Sequence, residues 1–239
     1  MKESFRNQSN DLSTIAFEGI NRVGKGTQID LLKKVFKELD VDFVELRGDG
    51  TREGTGSHDG DPFDIWWQEN AKKIRKQGTT EEWHEAAYKL VTEMKEWRMK
   101  ARVLNKQVAL LDRSLLSRAS FVIDRDNPAN DILLISDLYP IQRGEKIILD
   151  DILPDVIFEL TAEKEVILGR LDPADPKLEF RRKLIEDSYD IFYNARKRLP
   201  LEITERIVSI DASQAPDIIF DSILETLNSK IESWKKHQQ

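Results

Sequence analysis

Gly19-Ile-Asn-Arg-Val-Gly24-Lys25-Gly26-Thr27 is the stretch on which the reading of this chain turns. It has the spacing GxxxxGK. On its N-terminal side Ser13 to Gly19 reads as a strand ending in a glycine turn. On its C-terminal side Ile29, Leu31, Leu32, Val35, Phe36 and Leu39 recur at helical spacing through Thr27 to Leu39. A glycine-rich turn between a strand and a helix has a specific physical use. Glycines let backbone N–H groups turn inward around an anion. The helix beginning near Lys25 adds the positive end of its dipole, and Lys25 adds a point charge for phosphate oxygens. Gly26 follows the lysine, and Thr27 comes one place later.

Working outward, Val41 to Leu46 is a second strand candidate, which completes a βαβ unit and predicts a parallel sheet. Arg47 to Pro62 is rich in Gly and Asp and reads as a loop. Two helices are expected over about Phe63–Lys76 and Glu81–Asn105. Further strands are expected at Gln107–Leu111, Asp155–Leu160 and Ile207–Ile210. Helices are expected at Ser114–Val122, Ala162–Leu171, Leu178–Leu199 and Pro216 to about Trp234, with a turn at Asp124–Asp131 and a two-proline loop at Asp172–Lys177. Ile132–Asp151 carries no assignable pattern. The expectation is one α/β domain over 1–239, with a polar tail at 1–12, about five parallel strands, helices on both faces and a helical insertion between the second and third strands.

The 239 residues are 39% hydrophobic and 34% charged, enough for a core and a well-solvated surface. No apolar run approaches the ~20 residues of a membrane span, and the first ten residues carry no signal-peptide h-region. Without cysteine there is no disulfide framework and no thiolate metal site. These features fit a cytoplasmic protein with no membrane partner. The net charge of −7 argues against a nucleic-acid partner. His58, His84 and His237 show no metal-ligand spacing. Asp59, Asp61 and Asp64 read as a solvated acidic loop, and Trp66, Trp67, Trp83 and Trp97 as packing residues.

Phe17-Glu-Gly-Ile-Asn-Arg-Val-Gly-Lys-Gly-Thr-Gln28 resembles the thymidylate kinase signature FEGxDRxGKxTQ, and GKGTQ also resembles the adenylate kinase version of the loop. Four segments agree in order: Leu46-Arg-Gly-Asp-Gly-Thr51, Leu111-Asp-Arg-Ser-Leu-Leu-Ser117, Pro154-Asp-Val-Ile-Phe-Glu-Leu160 followed by Arg170, and Ile210-Asp-Ala-Ser-Gln214. The resemblance spans about Ser13 to Leu227. It implies a P-loop NTPase three-layer fold whose 47–105 insertion binds the acceptor and whose 172–182 segment is a lid. It implies ATP as phosphoryl donor, Mg2+ as cofactor and a nucleoside monophosphate as acceptor, and it admits a homodimer. ATP would be held by Lys25, Gly19, Asn21, Val23, Gly24, Gly26, Thr27 and Gln28. Asp211, Ala212 and Ser213 would help hold the adenine, and Arg170 would bind ATP as a charge donor beside the lid. Arg22, Arg181 and Arg182 would face the transferring phosphoryl group. Thr27 and Asp112 would serve magnesium. Glu18, Arg47, Thr51, Tyr88, Thr92, Arg113, Ser117 and Phe121 would face the acceptor. Phosphoryl transfer asks mainly for positioning and positive charge, and arginine's planar fork suits that.

Several positions depart from the thymidylate kinase pattern. Asn21 stands in place of Asp, Ser114 in place of an aromatic, Phe121-Val122 in place of Tyr-Gln, and Thr92 in place of Arg, while Tyr88 falls at the base-stacking position. Asp112-Arg-Ser-Leu-Leu-Ser-Arg118-Ala119 is also similar to ERSxYSxR of deoxynucleoside kinases and DRSWYxRA of polyphosphate kinases. The acceptor thus stays open among a nucleoside monophosphate, a deoxynucleoside, polyphosphate and a specialised metabolite. A nucleotide-binding switch without an acceptor is the alternative from another class.

Overall fold

A computed structural model describes residues 13–47, 50–51, 106–114, 153–197 and 201–237, with nine further residues between 66 and 89. It is an α/β fold around a six-stranded sheet. The strands are β1 (Ser13–Glu18), β2 (Phe43–Arg47), β3 (Gly50–Thr51), β4 (Val108–Asp112), β5 (Val156–Thr161) and β6 (Ile207–Asp211). Their order is β3-β2-β4-β1-β5-β6. Five strands are parallel, and β3 pairs antiparallel with β2 through Leu46 to Thr51 and Arg47 to Gly50. The reading of Arg47–Pro62 as wholly loop is corrected here: it opens with a short edge strand. Gly48-Asp49 is the kind of pair that joins hairpin strands, a signal that hydrophobic periodicity does not contain.

The described helices are α1 (Lys25–Glu38), α2 (Lys164–Leu168), α3 (Leu178–Arg196), α4 (Leu201–Thr204) and α5 (Pro216–His237). Their bounds differ from the sequence reading by a few residues. α2 stops at the C-cap residue Gly169 rather than running to Leu171. α4 was not expected, because four residues are too few to show a helical period. Among the described residues between 66 and 89 the helical ones are Trp66, Glu69, Asn70 and Lys73, then Glu81, Glu82, Glu85 and Lys89. The second run starts at a capping box. Thr79 Oγ1 accepts the Glu82 N–H at 3.3 Å, and Glu82 Oε2 accepts the Thr79 N–H at 2.9 Å. Its T-x-x-E spelling was legible in the sequence.

All six residues of β1 are buried, as a parallel strand covered on both faces requires. Ile15 and Phe17 of β1, Val108 and Leu110 of β4, and Val156, Phe158 and Leu160 of β5 share one core. Ile29, Leu32 and Phe36 of α1 and Ile219, Ile223 and Leu227 of α5 close over them. The i, i+3, i+7 spacing in α1 and the i, i+4, i+8 spacing in α5 put each set on one helix face. α1 is also tied to the sheet by charge. Lys33 Nζ donates to Glu45 Oε2 at 2.7 Å, and Glu45 is buried. That bond holds the lysine above its ordinary value of 10.5.

This topology decides where a site can form. The chain leaves β1 for β2 on one side of the sheet, and β5 and β6 lie on the other. The crevice at the carboxyl end of β1 is therefore a topological switch point, the place where open α/β sheets bind ligands. Phe17 is in register with Asp112, so the end of β4 stands beside the start of the glycine loop.

Among the described residues no helix is long and apolar enough to cross a membrane. The expectations for the tail 1–12, for Ser117 and Phe121 with the helix around them, for the turn at 124–131 and for 132–151 lie outside the described residues, as do Tyr88 and Thr92. Arg47 and Thr51 are placed as strand residues only.

Candidate functional site

The glycine loop leaves β1 under tight backbone constraint. Gly19 has φ 130°. A Cβ there would sit 2.5 Å from the Leu160 carbonyl oxygen and 2.9 Å from Val23 Cγ1, so β5 passes too close for any side chain. Gly24 has φ 115°, with open space where a Cβ would stand. Its glycine is required by conformation, not by crowding. Arg22 takes φ 69°, a left-handed geometry that a non-glycine residue adopts at a cost. Three positive-φ residues within six positions fold the chain back on itself and deliver it into α1 at Lys25.

The loop is locked from inside. Lys25 is buried, and its Nζ donates to the Gly19 carbonyl at 2.9 Å and the Ile20 carbonyl at 2.8 Å. Val23 is fully buried. α1 has Gly24 as N-cap with no side-chain cap, and its first turn carries no acidic residue. The Gln28 N–H bonds the Gly24 carbonyl, so the hydrogen-bond ladder of α1 begins there and the N–H groups before it point out of the helix end. The positive end of the helix thus faces the crevice with no carboxylate of its own to offset it.

A cleft of about 570 Å³ opens over this loop. Its wall includes Asn21, Arg22, Val23, Gly24, Lys25, Gly26, Thr27 and Gln28, together with Asp112, Arg113 and Arg170. Each of these was a sequence-predicted site residue, and the fold gathers them from β1–α1, the end of β4 and the end of α2. Arg113, at φ 81°, donates through Nη2 to Asn21 Oδ1 at 2.6 Å and through Nη1 to the Gly19 carbonyl at 3.3 Å. Arg170 donates to the Val23 carbonyl at 2.9 Å and to the Ala212 carbonyl, which clamps the loop to the turn after β6. Gln28 Nε2 makes a second strap, to the Pro216 carbonyl at 3.0 Å.

Other expected residues stand behind or beside the cleft. Gly19 supplies carbonyl and conformation from behind. Glu18 is buried, and its Oε1 accepts the Ser114 N–H at 2.5 Å and the Ser114 hydroxyl at 2.7 Å. The second of these bonds needs the hydroxyl that serine supplies at 114. Asp211 accepts the Ser213 N–H at 2.9 Å, and hydrogen bonding from Ser213 holds its carboxyl below the ordinary range. Asp211, Ala212 and Ser213 shape the turn, while Gln214, Pro216 and Ile219 beyond it reach the cleft wall. Those three were not named as site residues. A proline at the first position of a helix is a start signal, and it marks the residues around it as a helix N-terminus at a strand's carboxyl end.

The 172–182 segment carries its charge in ion pairs. Arg181 Nε lies 2.6 Å from Asp175 Oδ2, at an angle too poor for a hydrogen bond. The same Asp175 oxygen lies 3.8 Å from Arg22 Nη2 of the glycine loop. Arg182 is paired with Glu179 at 4.0 Å on the exposed side of α3. Asp175 was not singled out in the sequence, where it is one carboxylate in an unpatterned loop.

A hard divalent cation takes oxygen donors, and magnesium commonly keeps water and substrate oxygens with one or two protein ligands. The Thr27 hydroxyl and the Asp112 carboxylate on one cleft wall fit that donor set. Among the described residues there is no group of three or more His, Cys, Asp or Glu that could form a closed protein cage. No family model matches the chain, and no curated protein matches it.

Proposed function

We propose that the chain is an ATP- and Mg2+-dependent phosphotransferase of the P-loop three-layer class. The acceptor we favour is a nucleoside monophosphate or a related nucleotide. The observation that carries the reading is the cleft itself. It combines an uncapped helix N-terminus, a buried lysine and three arginines from different elements around one polar space at the sheet's switch point. Phosphate oxygens are the ligand chemistry that such a set of donors serves best.

In this reading the N–H groups of the first α1 turn and Lys25 take the donor phosphates. Arg22 would face the transferring group, and Arg113, bonded to Asn21, the acceptor. Arg170, Gln214, Pro216 and Ile219 form the end that receives the donor's base, with the guanidinium plane and apolar side chains suited to a flat aromatic ring. Thr27 and Asp112 would hold magnesium, which neutralises charge on the phosphates. The protein's contribution is position and charge. The 172–182 segment would close over the donor and exclude water.

The test is coupled ADP release from ATP and magnesium. The acceptors are dTMP, dUMP, the other monophosphates, thymidine and short polyphosphate, each offered in turn. We expect acceptor-dependent turnover with at least one monophosphate. Nucleotide binding with slow hydrolysis and no acceptor dependence would replace the kinase reading with a nucleotide switch. An Arg113→Ala variant is expected to raise the acceptor KM far more than the ATP KM, and equal effects on both would remove Arg113 from the acceptor side.

A further inference from the structure

The Asp175 carboxylate occupies the space between two cations that the proposed reaction needs. Oδ1 is held by the Lys177 N–H at 2.9 Å, within the turn that leads into α3. Oδ2 points the other way, to Arg181 at 2.6 Å and to Arg22 at 3.8 Å. Arg22 belongs to the glycine loop and lines the cleft. Arg181 belongs to the segment expected to close over it. One carboxylate oxygen therefore bridges the two halves of the site.

We infer that Asp175 is an internal stand-in for a phosphate: a carboxylate that parks the 172–182 segment on Arg22 until the anion of a substrate displaces it. The inference rests on the phosphate-binding reading of the cleft. Its physical basis is competition for the same donors. The carboxylate carries one charge and offers the two guanidinium groups one oxygen. A triphosphate carries several charges and many oxygens, so it can satisfy both arginines at once. The side chains of Arg22 and Arg181 are 45% and 38% exposed and that of Asp175 16%, so the pairs lie at the solvent boundary, where a competing anion can reach both guanidinium groups. The poor angle at Arg181 Nε leaves that donor better served by an oxygen elsewhere. Displacement would free the segment to re-close with its arginine on the substrate, so that donor binding and water exclusion become one event.

The experiment is calorimetric titration of the full chain with inorganic tripolyphosphate and with ATP, at low ionic strength. Asp175→Asn keeps an oxygen for the Lys177 N–H and removes the charge. It is expected to bind both probes about two- to five-fold more tightly than the parent, the range set by exposed ion pairs. Glu179→Gln is the control. It changes net charge equally, in the same helical region, but releases only Arg182, and it is expected to bind like the parent. Asp175→Ser, with a shorter turn-capping oxygen, serves if the first variant unfolds. A gain no larger in Asp175→Asn than in Glu179→Gln, or a loss of affinity, overturns the latch while the phosphate reading stands. A parent that binds neither probe overturns both.

Discussion

The glycine loop and the 172–182 segment meet at Asp175, but they are built on opposite terms. The loop's anchors are buried and held by hydrogen bonds. Lys25 is 7% exposed and Val23 fully buried, and the chain passes through three positive-φ residues to stay there. The 172–182 segment is held by ion pairs of arginines that are 38–45% exposed, with Glu179 86% exposed and Asp175 16%. Breaking the loop's contacts would strand buried polar groups, which costs about 1–3 kcal/mol each. Exchanging an exposed ion pair costs about 1 kcal/mol or less. The difference separates a preorganised half, whose geometry is set before any ligand arrives, from an exchangeable half.

The comparison breaks most sharply at Lys25. Lys25→Ala is expected to lower turnover by about 10²–10³-fold with the fold retained, measured by ADP release alongside circular dichroism. A variant that keeps its activity would remove the loop from the chemistry. Next in size is the contrast between the two glycines. Gly19→Ala sets a Cβ against the Leu160 carbonyl as well as straining φ, and is expected to cost about 3 kcal/mol. Gly24→Ala meets open space and is expected to cost about 1 kcal/mol. Equal losses on chemical denaturation would show that close approach of β5 does not matter.

Behind the loop, Lys33→Met leaves buried Glu45 without its cation and is expected to cost about 2 kcal/mol. The folded-state pKa of Lys33 is raised, so its contribution is complete below 10.5 and disappears as pH rises beyond that value. Stability of the parent should therefore fall above pH 10.5 more steeply than that of Lys33→Met. The smallest effect belongs to the exposed half. Glu179→Gln is expected to change stability by less than about 0.5 kcal/mol. A larger loss on thermal unfolding would mean the segment is more firmly anchored than its surface pairs imply.

Much of the loop was legible because its physics is local. Gly19, Gly24 and Lys25 stand at fixed spacing between a strand pattern and a helix pattern, and the backbone geometry at that spacing follows from the residues themselves. Asp112, Arg113 and Arg170 were reached through resemblance to a family's motifs, not through any local signal. The fold places them on the cleft wall with the loop. Asp175 had neither route.

The residues of this chain determined by themselves the alternation of strands and helices, the parallel connection of β1 to β2, and the phosphate-suited turn at 19–27. Those depend on spacing, backbone freedom and hydrophobic period, which neighbours in sequence carry. Tertiary structure alone decided that β4 and β5 flank β1 and that Arg113 bonds Asn21. It also decided that Ser114 occupies Glu18 and that Asp175 bridges Arg22 and Arg181. Each of these joins positions far apart in the chain or turns on a side chain's direction, and such pairings are set by packing of the whole sheet and its helices.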